Sequence, residues 1–136
     1  MPPELETVVA NFVAWRDSIS FRVIENEMMV YSKEFQYAGA VDAVVESEGK
    51  TIIMDWKTSN RIQNEYALQV SAYAKAYEEM TGDKVHEAWI VRFDKHTRKM
   101  PQIKVVYDIE ESFDTFLCAK RLWAFCNAPM GKKRRQ

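Results

Sequence analysis

The sequence has few cysteines, no long apolar run and no excess of charge of one sign. Its two cysteines, Cys118 and Cys126, are eight positions apart on one predicted helix, so they are poorly placed to bridge each other and too few for an iron–sulfur cluster. We therefore expect buried free thiols, a reducing compartment and no iron–sulfur cofactor. No run of 18 apolar residues is present and the N-terminus is unlike a signal peptide, so we expect a cytoplasmic protein without membrane contacts.

The net charge of -1 excludes a chain that binds nucleic acid through overall positive charge. Any such contact would need a local basic patch or a metal ion. One local patch is the tail Lys132-Lys133-Arg134-Arg135, which is either a solubilising segment or a phosphate-contacting one. At 136 residues and 47% hydrophobic content, a single domain with a sizeable core is expected, which we place at 1–128, with a basic C-terminal tail at 129–136.

Hydrophobic periodicity predicts eight elements in the order αβββαββα. Helices are predicted at 4–18, 64–80 and 110–127, and strands at 21–31, 37–46, 50–58, 85–93 and 102–107. A three-stranded meander followed by a crossover helix predicts an α/β (α+β) fold, in which helices flank a mixed central sheet.

The stretch from Gly39 to Lys57 contains two apolar runs around a short polar break, which is typical of a β-hairpin. With Glu48-Gly49 as its two-residue loop, Asp42 lies directly opposite Asp55. Because side chains alternate along a strand, Lys57 shares a face with these aspartates. The other face is predicted to be wholly apolar, with Val41, Ala43, Val45, Ile52, Met54 and Trp56.

Two opposed carboxylates in an otherwise apolar hairpin are unfavourable unless a counter-charge or a raised pKa relieves them. A divalent metal ion would supply the counter-charge, and Lys57 would add a second positive group. The alternative is a solvated surface hairpin, since charged strand faces are common.

Gln69 and Tyr73 lie one helical turn apart in the predicted helix 64–80, so they point the same way. Their neighbours on this face are apolar or aromatic, which is also what an ordinary core face would show. A glutamine in the middle of such a face is less expected and indicates a polar partner.

Three motifs occur in order: Gly39-x-x-Asp42, Asp55-Trp56-Lys57-Thr58-Ser59 and Gln69-x-x-x-Tyr73. Together they resemble the PD-(D/E)xK nucleases, and more narrowly the RecB-like branch with its phage, CRISPR-associated and mitochondrial genome maintenance exonucleases. The resemblance covers roughly Glu25 to Tyr77 and implies a restriction-endonuclease-like fold.

The resemblance also implies roles for the motif residues. Asp42 and Asp55 would bind Mg²⁺ or Mn²⁺, with the backbone carbonyl of Trp56 as a further ligand. Lys57 would orient or help deprotonate the attacking water. Side chains that would position nucleic acid or support the site are Gln69, Tyr73 and Ser59.

One further carboxylate comes from the pattern Glu-x-x-Val-Tyr-Ser, which begins at Glu27 and matches the position of a glutamate in related proteins. The resemblance therefore implies Glu27 as an additional metal ligand, with Glu25 as the second choice. Many relatives also carry a metal-binding histidine well upstream of this position. Here the histidines are His86 and His96, both downstream.

The expected function is that of a metal-dependent DNA nuclease, an exonuclease, which hydrolyses phosphodiester bonds in DNA ends. A chain of this size would suit a phage or a DNA repair and recombination system, alone, as a homo-oligomer or with a partner protein. Two alternatives remain open. One is a DNA-binding or assembly module that has kept the fold without strong catalysis, and the other is a structural domain with an exposed charged hairpin.

Overall fold

The computed structural model describes residues 2–129 and confirms the predicted element order, with every boundary within two residues of its expected place. The basic tail 132–135 lies outside the described residues. The three helices are α1 (Pro3–Ser18), α2 (Glu65–Thr81) and α3 (Ile109–Cys126). The five strands are β1 (Arg22–Ser32), β2 (Tyr37–Ser47), β3 (Lys50–Lys57), β4 (Glu87–Arg92) and β5 (Gln102–Val106).

The strands form one mixed sheet in the order β1-β2-β3-β4-β5. Every neighbouring pair is antiparallel except β3 and β4, which run parallel with Lys57 beside Arg92. A parallel pair needs a crossover, and α2 supplies it by returning the chain to the start of β4. Gly82, with φ 79°, ends α2, and its N–H donates to the carbonyl of Glu78 at 2.8 Å.

The β2–β3 hairpin has the predicted loop and register. Glu48 and Gly49 both have positive φ, 53° and 77°, as a two-residue type I′ turn requires. Pairing then runs from Ser47–Lys50 to Ala43–Met54. Asp42 and Asp55 are next in this register, where backbone pairing between the two strands has ended.

Two apolar clusters form the core, one on each face of the sheet. The first, here called the α2 face, joins the sheet to α2 and includes Val30, Val41, Val44, Ile53, Val70, Ala74, Tyr77 and Ile90. The second, the α1 face, joins the sheet to α1 and includes Phe12, Trp15, Ala43, Val45, Ile52, Met54, Trp56 and Phe93. Edge-to-face ring contacts at centroid distances of 5.5–6.1 Å link the four aromatic residues of the α1 face.

Two predictions about burial were wrong. Val41 belongs to the α2 face and not to the face that carries Ala43, because strict alternation fails in β2 where its pairing with β3 ends. Cys118 and Cys126 are free but exposed. The buried residues of α3 are Ile109 and Phe113, so this helix packs through its first turns and its later residues face solvent. Across residues 2–129, no helix is long and apolar enough to cross a membrane.

Candidate active site

Asp42 and Asp55 come together at the α2 face, next to the point where β2 and β3 stop pairing. The Trp56 backbone N–H donates to Asp42 Oδ2 at 2.7 Å, so the Asp42 side chain takes the place of the next backbone acceptor on β2. Burial, helped by the neighbouring Asp55 carboxylate, raises the pKa of Asp42 from 3.8 to about 6, although the Trp56 N–H and the charge of Lys57 oppose this rise.

Asp55 is the most deeply buried charged residue of the site, with 6% of its surface exposed. Its Oδ2 lies 3.0 Å from Lys57 Nζ, close enough for an ion pair. The Lys57 ammonium is not oriented to donate a hydrogen bond to Asp55 Oδ2, so within the described chain this buried oxygen accepts no hydrogen bond. A buried carboxylate oxygen without a donor is costly, and a bound cation would satisfy it.

Lys57 is fixed by three neighbours. Besides Asp55, its Nζ donates to Gln69 Oε1 at 2.8 Å and lies 4.5 Å from the centre of the Tyr66 ring. Gln69 Nε2 in turn donates to Tyr73 Oη at 2.9 Å. The polar partner expected for Gln69 is therefore Lys57, and α2 holds the lysine through a chain of side-chain hydrogen bonds.

Tyr73 rests directly on the backbone of β2. A Cβ atom added to Gly39 would lie 2.1 Å from Tyr73 Cε1, far inside van der Waals contact. Only glycine therefore permits this approach between α2 and β2. Burial raises the pKa of the Tyr73 hydroxyl, and the nearby Asp55 charge raises it as well, so the hydroxyl stays protonated at neutral pH.

The backbone of Trp56 faces the aspartates while its indole lies in the α1 face. The neighbouring carbonyl, that of Lys57, accepts from the N–H of Phe93, the residue after β4, at 2.8 Å. Because backbone groups alternate sides along a strand, the Trp56 N–H and carbonyl point the other way, towards β2 and Asp42. The Trp56 carbonyl thus lies on the side of β3 that faces Asp42.

Ser59 shapes the loop after β3. Its hydroxyl donates to the Arg61 carbonyl at 2.8 Å, and its own carbonyl accepts from Arg92 Nε at 2.6 Å. Arg92 was missed from the sequence, since its place beside Lys57 depends on the parallel pairing of β3 and β4. The signal that could have indicated Arg92 is a cation at the end of the predicted fourth strand, since the carboxyl end of that strand would lie beside Lys57 in a parallel pair.

Glu27 lies opposite Asp42 in the β1–β2 register, between the pairs Asn26–Ala43 and Met28–Val41, but its side chain does not join those of Asp42 and Asp55 in a three-ligand group. Its side chain is exposed, and its φ of 50° breaks the alternation of β1. Among residues 2–129, no three acidic, histidine or cysteine side chains converge as a metal-binding group. His86 instead accepts from the Thr51 N–H, and His96 lies 3.8 Å from Glu4 at the surface.

The chain resembles several known proteins. It is 34% identical over 77 residues to an ATP-dependent helicase/nuclease protein from Carboxydothermus hydrogenoformans, across 50% of this chain and 7% of that protein. It is 35% identical over 71 residues to the protein of the same name from a Thermoanaerobacter species, across 46% of this chain and 6% of that protein. Both relatives are named as one subunit of their enzyme, and the chain spans only a small fraction of their length.

A solved structure shares the fold. The crystal structure of a candidate exonuclease from Eubacterium rectale superimposes with a TM-score of 0.61, over 97% of this chain and 62% of that chain, at 13% identity. The helicase/nuclease relatives agree with the RecB-like character of the motifs. Since residues 4–126 match the family model of the PD-(D/E)XK nuclease superfamily, the chain belongs to that superfamily.

Proposed function

We propose that this chain is a metal-dependent DNA nuclease that hydrolyses phosphodiester bonds with a metal-activated water and acts as an exonuclease. The observation that carries this proposal is the buried Asp55 oxygen that accepts no hydrogen bond within the described chain, beside Asp42 and Lys57. Buried charged groups of this kind lower stability in the absence of ligand, so their presence in a cluster indicates a function.

Asp42, Asp55 and the Trp56 carbonyl would hold the metal. All three offer hard oxygen ligands, which suit Mg²⁺ and Mn²⁺. The donor set fits a cation because it contains two clustered carboxylates. One has an oxygen that accepts no hydrogen bond in the described part of the chain, and the other has a pKa raised to about 6. When bound, such an ion lowers the pKa of a coordinated water and stabilises negative charge on the phosphate.

Lys57 would act on the water or on the phosphate. An ammonium group has three N–H donors. Of its three neighbours, Asp55, Gln69 and the Tyr66 ring, only Gln69 accepts a hydrogen bond from Lys57 within the described chain, which leaves a donor for substrate. Gln69 and Tyr73 would act as positioning residues that hold the ammonium in place. A positive group fixed before the reaction stabilises the charge of the transition state without reorganisation.

Cleavage of end-labelled single-stranded and duplex DNA, with Mg²⁺ or Mn²⁺, tests the proposal. We expect Asp55→Asn and Lys57→Ala each to reduce the rate by about 10²–10³-fold, as removal of one transition-state interaction does. The matched controls Asp83→Asn and Lys84→Ala change exposed residues of the loop before β4 and should cleave like the wild type. Equal cleavage by all four variants would reveal a contaminating nuclease and end the assignment.

A non-catalytic DNA-binding or assembly module is the second candidate, because residues 2–129 contain no group of three acidic, histidine or cysteine ligands. Calorimetry with Mn²⁺ separates the two functions. Mn²⁺ binding that Asp55→Asn abolishes favours the nuclease, whereas salt-sensitive DNA binding without Mn²⁺ binding favours the module. Glu27 stays a proposal as an additional ligand, and an unchanged Mn²⁺ affinity in Glu27→Gln would remove it.

A further inference from the structure

A groove of about 490 Å³ opens at the end of the sheet where β3 and β4 finish. Its lining residues are Ser59, Asn60, Arg61, Gln63 and Lys95. Lys57 is two residues before Ser59, so their Cα atoms can be at most about 7 Å apart. The groove therefore adjoins the candidate active site, at the carboxyl ends of the parallel strands.

Lys95 lines one side of the groove and belongs to the basic loop, residues 94–100, which Asn11 of α1 fixes in position. The Asn11 side chain is 3% exposed and makes three hydrogen bonds to the loop backbone. Its Nδ2 donates to the carbonyls of Asp94 and Thr97 at 3.1 and 3.0 Å, and its Oδ1 accepts from the Lys99 N–H at 3.0 Å. The loop is thus held by a buried side chain 83 or more positions away in sequence.

The other wall is the segment after β3, which Arg92 holds through the Ser59 carbonyl at 2.6 Å. Both walls are therefore anchored to the sheet or to α1 before any ligand arrives. Preorganised walls reduce the entropy that a bound ligand must overcome.

Three cations near the groove have no ion-pair partner among residues 2–129. In the part of the chain that the structure describes, Arg61, Lys95 and Arg98 form no ion pair, whereas Lys99 lies 3.7 Å from Asp94. The whole chain carries a net charge of -1, so this concentration of unpaired positive charge contrasts with the overall composition. Its natural complement is a chain of phosphate groups.

We propose that Arg61 and Lys95 bind the phosphate backbone of a single nucleic-acid strand that leads into the active site. This inference rests on the proposed nuclease function and adds the path of the substrate. Contacts to the backbone fix the register of a strand without reading its sequence. The groove would accordingly hold a phosphate beside the scissile one, while Asp42, Asp55 and Lys57 act on the bond itself.

Binding of a labelled oligo-dT strand tests the groove by fluorescence anisotropy, in EDTA and in an Asp55→Asn background so that no cleavage occurs. We expect Arg61→Gln/Lys95→Gln to raise Kd about tenfold and to reduce the slope of log K against log salt by about 1.4, or 0.7 for each phosphate that the variant no longer neutralises. The matched control for Lys95→Gln is Lys84→Gln, which removes an exposed lysine without an ion pair in the described chain, at the opposite end of β4.

Failure of the groove and failure of the nuclease assignment give different results. Equal effects of Lys95→Gln and Lys84→Gln, or an unchanged salt slope in the double variant, would overturn the groove even if the wild type cleaves DNA. Weaker binding with a reduced slope supports the groove even if the wild type shows no cleavage. Because the substituted side chains lie at the surface of a groove, an unchanged melting temperature confirms that the variants are folded.

Discussion

The two faces of β3 differ in polarity, although the residues that form them are adjacent in sequence. On the α1 face, Trp56 packs edge-to-face against Trp15 at a ring distance of 5.9 Å, within an aromatic cluster. On the α2 face, Asp55 and Lys57 place opposite charges at a buried position, and one carboxylate oxygen there accepts no hydrogen bond within the described chain. Between Ile52 and Trp56 the α1 side of β3 is apolar, whereas its α2 side changes from the apolar Ile53 to the charged Asp55 and Lys57, although α-helices cover both sides.

The difference shows that one strand can stabilise the fold through one face and carry the charged groups of the candidate site on the other. Aromatic burial on the α1 face contributes favourable free energy of folding, and no charge interrupts that cluster. The charges on the α2 face cost free energy because desolvation of a carboxylate exceeds what an imperfect ion pair returns. Substitutions on the two faces should therefore have separable effects, with stability changing on one and catalysis on the other.

The largest effect on stability is expected from Trp15→Ala, which removes a side chain that is 6% exposed from the centre of the α1 face. Loss of this ring should lower the free energy of unfolding by about 3–5 kcal/mol, measured by urea denaturation. The matched control on the same helix is Val13→Ala, since Val13 is 36% exposed and should cost far less. A large fall in DNA cleavage by folded Trp15→Ala would show that the two faces are not separable.

An intermediate effect is expected from Gly39→Ala, which tests the contact that sets the α2 face. The added methyl must displace the Tyr73 ring, so Gln69 would lose its partner and Lys57 would lose its fixed position. We expect a loss of about 1–3 kcal/mol in stability from overpacking, and a cleavage rate that falls with it.

Gly49→Ala is the control for that substitution. It imposes strain at φ 77° but meets no atom within 4 Å, so its cost of about 1–2 kcal/mol is purely one of backbone conformation. Its cleavage rate should match that of the wild type. If Gly39→Ala and Gly49→Ala lose cleavage to the same extent, the Tyr73 contact does not position the site.

The smallest effect, and one of opposite sign, is expected from Asp42→Asn. Because burial raises the pKa of Asp42 in the folded state to about 6, the native state binds a proton more readily than the unfolded chain does. The stability that this protonation provides is complete below pH 3.8 and disappears as the pH rises through about 6. An asparagine cannot ionise and still accepts the Trp56 N–H.

Asp42→Asn should therefore stabilise the metal-free protein at pH 8 by on the order of 1 kcal/mol, allowing for screening at a half-exposed carboxyl. The gain should vanish near pH 4, and thermal melts in EDTA at both pH values measure it. Asp114→Asn, on the exposed surface of α3, serves as the control for loss of one charge. A gain that is equal at the two pH values would contradict the raised pKa.

Much of the site could be predicted because its parts are local. The Glu48-Gly49 turn fixes the hairpin register, so alternation alone brings Asp42 near Asp55 and aligns Lys57 with it. Helical spacing likewise places Gln69 and Tyr73 on one face. The hydrogen bond between Lys57 of the hairpin and Gln69 of the helix was predicted only in part: the sequence indicated a polar partner for Gln69 but not which residue it is. Which side chains meet between α2 and β3 depends on packing.

Other features escaped prediction because they depend on long-range contacts. Arg92 reaches the loop after Lys57 only through the parallel pairing of β3 with β4. Strand periodicity predicted the wrong face for Val41. It also predicted a regular strand at Glu27, where the backbone instead has a positive φ. Irregular strand positions of this kind depend on which hydrogen bonds neighbouring strands form locally. A periodic pattern of apolar residues carries no information about those bonds.

The sequence by itself determined the order of the elements, the hairpin register and the three motifs, because turn chemistry and side-chain periodicity act over a few residues. Tertiary structure alone decided what those residues meet. It set Tyr73 on Gly39, connected Lys57 to Gln69, left an oxygen of Asp55 without a hydrogen bond among residues 2–129, and let Asn11 hold the basic loop beside the site. These contacts join residues far apart in the chain, so they exist only once the sheet and its two helical layers have packed.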